Sequence, residues 1–281
     1  MTLTRKSEPI KSDGAPGSSW RLRRRKPHYD MDQSPEAAPV QNLKNFNLLL
    51  YITEAAGILL IILVGIWTIS YRGGFAWRSQ PGLEFNWHPL LMTIGLVFLY
   101  ANGMLIYRTQ RTVRKRRLKL IHSGIMIFTV LLTVIGLVAV FDSHNLAIDK
   151  PIPNMYSLHS WIGLASVILF CCQWLAGFLS FLYPVVQQST RAAYMPIHVY
   201  FGTAGFVGTI AACLMGLTEK AFFTLKDATP YSDLPSEGVL VNIIGLAFVI
   251  FGGLVVYLVS QEAYRRHPQP EDDILLERRK N

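Results

Sequence analysis

Charged residues are scarce in this chain, cysteines number three, and no Asn-x-Ser/Thr acceptor occurs in its 281 residues. Each shortage excludes something. Without the acceptor triplet, N-glycosylation is not expected. Cys171, Cys172 and Cys213 all fall inside apolar segments, so no disulfide framework is implied and buried thiols serving as small packing residues are the expectation. No period-two alternation suggests a β-barrel, and no internal repeat is strong enough to use. The basic start lacks a short apolar core with a small-residue cleavage site behind it, so the first apolar segment stays attached.

What the chain has in quantity is apolar length. About 20 residues of helix cross roughly 30 Å of hydrocarbon, and the windows Asn47 to Ser70, His88 to Tyr107, Leu120 to Phe141, Ser157 to Leu182, Pro196 to Gly216 and Gly238 to Ser260 all reach that length. Glu54 is the clearest charged interruption. The fold class is therefore all-α, an integral membrane protein of six transmembrane helices, with 51% hydrophobic and 16% charged residues in agreement. Spans and short loops consume the chain and leave no room for a second globular domain. Three regions follow: a disordered basic tail at 1–46, a six-helix domain at 47–260 and a C-terminal tail at 261–281.

Of the 27 Lys and Arg, 22 lie in the N-terminal tail, between Arg108 and Lys119, at Arg191 and in the C-terminal tail; Arg72, Arg78, Lys150, Lys220 and Lys226 occupy the other three connections. The positive-inside rule puts both termini in the cytoplasm. The net charge of +9 is then a sign of topology. Nucleic acid is a poor explanation for it, whereas Arg21 to Lys26 could meet anionic lipid headgroups.

Four histidines, His88, His122, His159 and His198, each fall near the start of one of the second to fifth spans. An imidazole at membrane depth is expensive without a partner and marks a functional site. Consecutive spans alternate in direction, so His88 pairs with His159 at one face and His122 with His198 at the other. Each pair supplies two nitrogens, too few for a closed zinc site, whereas a haem brings four in-plane nitrogens and needs two axial imidazoles. A site filled on both axial positions suits electron transfer. Gly65, Gly95, Gly124, Gly163, Gly177, Gly202 and Gly205 could give a porphyrin room, with close helix packing an equally good explanation.

The segments NWHPLLM (86–92), KLIHSG (119–124), NMYSLHSWIG (154–163), RAAYMPIHVYFG (191–202) and MGLTEK (215–220) resemble the cytochrome b561 family of transmembrane ascorbate-dependent oxidoreductases over about residues 47–260. The resemblance implies a core bundle of helices 2 to 5, two b-type haems (haem b) with those four histidines as iron ligands, and a homodimer. It implies a cytoplasmic ascorbate site at Lys115, Lys119 and Arg191. Lys115 and Lys119 lie seven and three residues before His122, roughly on its helical face, Arg191 lies seven before His198, and Arg108 closes the second span at that level. On the other side His144, Asn154 and Tyr156 resemble the family's non-cytoplasmic substrate site, and Phe141 could support a substrate ring. The Thr218, Glu219 and Lys220 cluster receives no role beyond capping and a salt bridge.

The expected reaction is a one-electron relay from cytoplasmic ascorbate to monodehydroascorbate or a ferric chelate (ferric reductase activity). The alternative is a haem-free zinc or proton transporter with four histidines, which predicts carboxylates at the histidine depths. EDDILL (271–276) resembles an acidic dileucine sorting signal, so an endosomal, lysosomal or secretory-vesicle membrane is favoured over the plasma membrane.

Overall fold

In the computed structural model, residues 43–183 and 186–266 are described. The first 42 residues, His28, His267 and the dileucine segment lie outside them. The described residues form six helices long and apolar enough to cross a membrane: α1 (Phe46–Tyr71), α2 (Pro81–Thr109), α3 (Lys115–Asn145), α4 (Leu158–Leu182), α5 (Gln188–Thr224) and α6 (Ser236–Ser260). No strand occurs among them. In hydrocarbon each backbone N–H and C=O must find its partner internally, which is why apolar runs of this length become helices.

Local chemistry sets the ends. Pro81 opens α2, where a missing N–H costs nothing. Ser157 caps α4 in a reciprocal arrangement with Ser160. Buried threonines return their hydroxyls to carbonyls four residues earlier, as Thr53 to Leu49, Thr93 to Pro89 and Thr133 to Thr129, so none carries an unmet donor into the bundle.

The helices are longer than the hydropathy windows. α3 begins at Lys115 and α5 at Gln188, so His122 and His198 lie two to three turns inside their helices rather than at their starts. Hydropathy stops at the first charges, but a helix continues through them because lysine and arginine stems lie along apolar surface while their heads reach water. For the same reason His144 stands in the last turn of α3, not in a loop. Cys171 and Cys172 face outward and Cys213 is partly buried, which corrects the expectation of buried thiols: apolarity placed them in spans but could not tell the inner face from the outer.

α2 packs along α3 and α4 along α5, each as an antiparallel hairpin, and the α3–α4 and α2–α5 contacts close these four into a ring. α1 and α6 pack on each other, with α6 also against α5 and α2. The core is therefore the four-helix arrangement of α2 to α5, with α1 and α6 as an outer pair. Across the middle of the ring lies an aromatic layer in which Tyr100 meets Phe170 at 4.6 Å and Phe206 at 5.7 Å. Its hydroxyl donates to the Gly202 carbonyl at 2.7 Å. Gly205 faces that hydroxyl, which lies 3.1 Å from where a Cβ would stand, so the missing side chain at Gly205 leaves room for the tyrosine.

Candidate functional site

The ring order makes α2 and α4 one diagonal and α3 and α5 the other, and the four histidines face each other across those diagonals. The ring centroids of His88 and His159 are 6.1 Å apart, and those of His122 and His198 are 6.4 Å apart. Gly136, whose carbonyl meets His88, stands 14 residues after His122 on α3, which separates the two levels by about 21 Å at 1.5 Å per residue.

Three of the imidazoles are oriented by the backbone. The Nδ1–H of His88 donates to the Gly136 carbonyl (3.1 Å), that of His122 to Gly103 (2.7 Å) and that of His159 to Ala212 (2.8 Å). A carbonyl can only accept, so Nδ1 carries the proton and Nε2 keeps its lone pair for a metal. His198 Nδ1 is buried with no hydrogen-bond partner among the described residues, as is Gln173 Oε1, one turn before Gly177 on α4. Two glycines make room for rings: a Cβ on Gly216 would stand 2.7 Å from His159, and one on Gly177 2.9 Å from His198.

The donor set fits a bis-imidazole iron. Metal–imidazole bonds of about 2.0–2.1 Å, with about 1.1 Å more from each nitrogen to its ring centre, call for centroids roughly 6 Å apart, which is the separation found at both levels. No group of three or more His, Cys, Asp or Glu that could hold a metal ion occurs among the described residues. A carboxylate does come near one level: Glu219 and His159 line the same groove of ≈ 470 Å³ with Ser157 and Met215, and Glu219 accepts from Ser157 Oγ at 3.1 Å.

Around His122 and His198 the end is basic and aromatic. Tyr107 lies 5.6 Å from His122, Phe181 5.4 Å and Tyr194 6.1 Å from His198, and Phe181 stacks on Tyr194 at 5.6 Å. Lys119 Nζ donates to the Phe181 carbonyl at 3.0 Å. Arg191 is partly buried and Lys115 exposed. Arg108 is differently engaged, since its guanidinium donates to the carbonyls of Val259 and Gln261 at the end of α6, where a cation complements the helix dipole. Arg111 lies over the Phe46 ring at 4.9 Å and donates to Tyr264, and burial lowers its pKa.

At the opposite end His144 Nδ1 donates to Asn154 Oδ1 at 3.0 Å, and Asn154 Nδ2 donates to Asn145 Oδ1 at 2.8 Å. Tyr156 is 59% exposed and follows Met155, a residue at φ 57°. Two of the three residues expected at this end are thus in contact, with the third beside them. Phe85, which no sequence pattern singled out, stacks on His144 at 6.4 Å and lies 6.2 Å from His88. Arg78 pairs with Asp142 at 2.7 Å, a hydrogen bond that raises the guanidinium pKa. Glu84, one turn before His88, is fully buried with neither oxygen partnered among the described residues.

A six-helix membrane bundle with an imidazole pair at each end of its core is the architecture of a transmembrane haem protein. The family model for eukaryotic cytochrome b561 matches residues 87–224, the stretch that carries all four histidines. The chain is 42% identical over 238 residues to the plasma membrane ascorbate-dependent reductase CYBRD1 of Xenopus laevis, covering 84% of this chain and 82% of the relative. It is 41% identical over 223 residues to the human transmembrane ascorbate-dependent reductase CYB561 (79% and 86%). It is 42% identical over 223 residues to the lysosomal membrane ascorbate-dependent ferrireductase CYB561A3 of Danio rerio (77% and 88%). The chain belongs to the cytochrome b561 family, and membership implies a b-type haem.

Proposed function

We propose that this protein carries electrons across a membrane from cytoplasmic ascorbate to a non-cytoplasmic acceptor, with one haem b between His88 and His159 and a second between His122 and His198. The observation that carries the reading is the pair of facing imidazoles at each end, with His88, His122 and His159 held by carbonyls through Nδ1 so that Nε2 is free. Haem iron, when bound, supplies one-electron chemistry by alternating between ferric and ferrous. The protein supplies ligand orientation, an apolar enclosure and charge at the two ends. The basic end is cytoplasmic and, by the count of Lys and Arg, both termini are too.

Ascorbate is a monoanion at neutral pH. Arg191, Lys115 and Lys119 attract it beside the Tyr107, Phe181 and Tyr194 cluster, and Arg108 adds its charge from a position fixed by the end of α6. The opposite site is His144, Asn154 and Tyr156. Its acceptor is monodehydroascorbate or a ferric chelate; the names of the relatives include a ferrireductase. The active form is a homodimer within membrane lipid.

The decisive experiment loads sealed vesicles with ascorbate on the basic side and follows the absorption spectrum and the reduction of an external ferric chelate. Haem bands that reduce on ascorbate loading, with electrons appearing outside, support the reading. A colourless protein would favour the zinc or proton transporter.

Two further outcomes follow from named residues. Gly216→Ala and Gly177→Ala each drive a methyl into a ligand ring. Overpacking of this kind costs about 1–3 kcal/mol, so both should lower haem content, Gly216→Ala at the His159 level and Gly177→Ala at the His198 level; redox titration distinguishes the two. The protein resides in an endosomal, lysosomal or secretory-vesicle membrane, on the strength of the acidic dileucine segment. Replacing Leu275 and Leu276 with alanine should move most of it to the cell surface in microscopy, and an unchanged distribution would remove that assignment.

A further inference from the structure

Lys220, in the last two turns of α5, has a position that the relay does not use. Its ammonium lies over the Phe85 ring, 4.0 Å from the centroid, and the same ring stacks on His144 and meets His88. A cation on an aromatic face gains attraction from the ring quadrupole, but that face satisfies none of its three N–H donors, and the residue is partly buried.

Three of the carboxylates at this end have other partners. Glu237 is held by Arg72 at 3.3 Å and by the Trp67 indole at 2.9 Å, Glu219 by Ser157, and Asp142 by Arg78. Glu84 is buried one residue from Phe85, with no ion pair among the described residues. No carboxylate among the described residues comes within salt-bridge distance of Lys220, so its donors remain available for an anion at the place where Phe85 links the His88 ring to His144.

We infer that Lys220 is the specificity-determining residue of the non-cytoplasmic site, positioning an anionic acceptor over Phe85 and against His144. The inference rests on the electron-transfer reading and deepens it by naming the charge of the acceptor. Both candidate acceptors satisfy it. The monodehydroascorbate radical anion takes one electron and one proton to become the ascorbate monoanion, and a ferric complex of a polycarboxylate takes one electron to become ferrous. In each case the electron comes from one-electron oxidation of cytoplasmic ascorbate. Lys220 itself is unchanged and transfers nothing.

The test uses the full-length protein in sealed vesicles loaded with ascorbate on the basic side and kept at low ionic strength. Two impermeant one-electron oxidants of opposite charge are added outside: ferricyanide and hexaammineruthenium(III). Lys220→Gln should lower the second-order rate constant for ferricyanide about tenfold and leave that for the ruthenium complex unchanged or raised. Lys220→Arg should keep the preference for the anion. Haem content and midpoint potentials should match the parent protein. An equal loss toward both oxidants overturns the inference, as does a shifted midpoint potential with unchanged charge preference, which would give Lys220 a haem carboxylate as its partner. If the parent protein itself lacked haem or exported no electrons, the electron-transfer reading would fail first, and the spectrum reveals that before any variant is compared.

Discussion

His122→Ala and His198→Ala should each deplete the haem proposed for the basic end and spare the one proposed for the other, while His88→Ala and His159→Ala should do the reverse. The expectation follows from the geometry, because two diagonally opposed helices hold each pair of imidazoles about 6 Å apart, the spacing that an iron placed between them would need. Removing one imidazole would leave a bound iron with a single protein ligand in a site shaped for two. The four variants should differ in degree. His88, His122 and His159 are fixed by carbonyls, and loss of such an outer partner alone typically costs 10–100-fold in metal affinity. His198 has no such anchor among the described residues, and its ring is positioned by Phe181, Tyr194 and the space over Gly177. Haem-to-protein ratio and redox titration of the four variants measure the outcome. Loss of the same haem from His88→Ala and His122→Ala would mean that the pairing across diagonals is wrong.

Periodicity and hydropathy were enough to read six helices, because a run of apolar residues longer than 20 has one structural solution in a bilayer. The histidine pairs were legible for a related reason: alternate helices reverse direction, so residue order alone puts His88 level with His159 and His122 level with His198. What surrounds those pairs was not legible. Phe85, Tyr107, Phe181 and Tyr194 are aromatic residues in or beside apolar segments, and nothing local separates a ring that touches a ligand from one that faces lipid. Nothing in the sequence separates Gly216, which faces the His159 ring, from Gly202, which faces no side chain; a glycine's neighbour depends on helix rotation, which small changes of packing decide. The outward faces of Cys171 and Cys172 were lost for the same reason. Arg108 shows the limit for charges: its place at the end of a span was visible, but the carbonyls of α6 that it meets are some 150 residues away in sequence.

Substitution of Lys119 and Arg191 should raise the ascorbate concentration needed for half-maximal reduction while dithionite still reduces all of the bound haem. An interaction with a charged group typically contributes about 1.5–3 kcal/mol, roughly tenfold or more in affinity, and two such losses at one site compound. The two positions are not equivalent. Lys119 also donates to the Phe181 carbonyl, beside the ring that packs on His198, so Lys119→Ala removes a structural contact along with a charge and should disturb the haem spectrum slightly. Among the described residues no hydrogen bond of this kind constrains the Arg191 guanidinium, which stands one turn before Tyr194, so Arg191→Ala should change donor affinity alone. Stopped-flow reduction with ascorbate on the basic side distinguishes these effects, and Arg191→Lys should recover part of the loss because charge is restored without the planar fork. Variants of His144 and Tyr156 should leave this phase unchanged and slow electron exit instead. An Arg191→Ala, Lys119→Ala double variant with the parent protein's ascorbate dependence would remove the donor site from this end of the bundle.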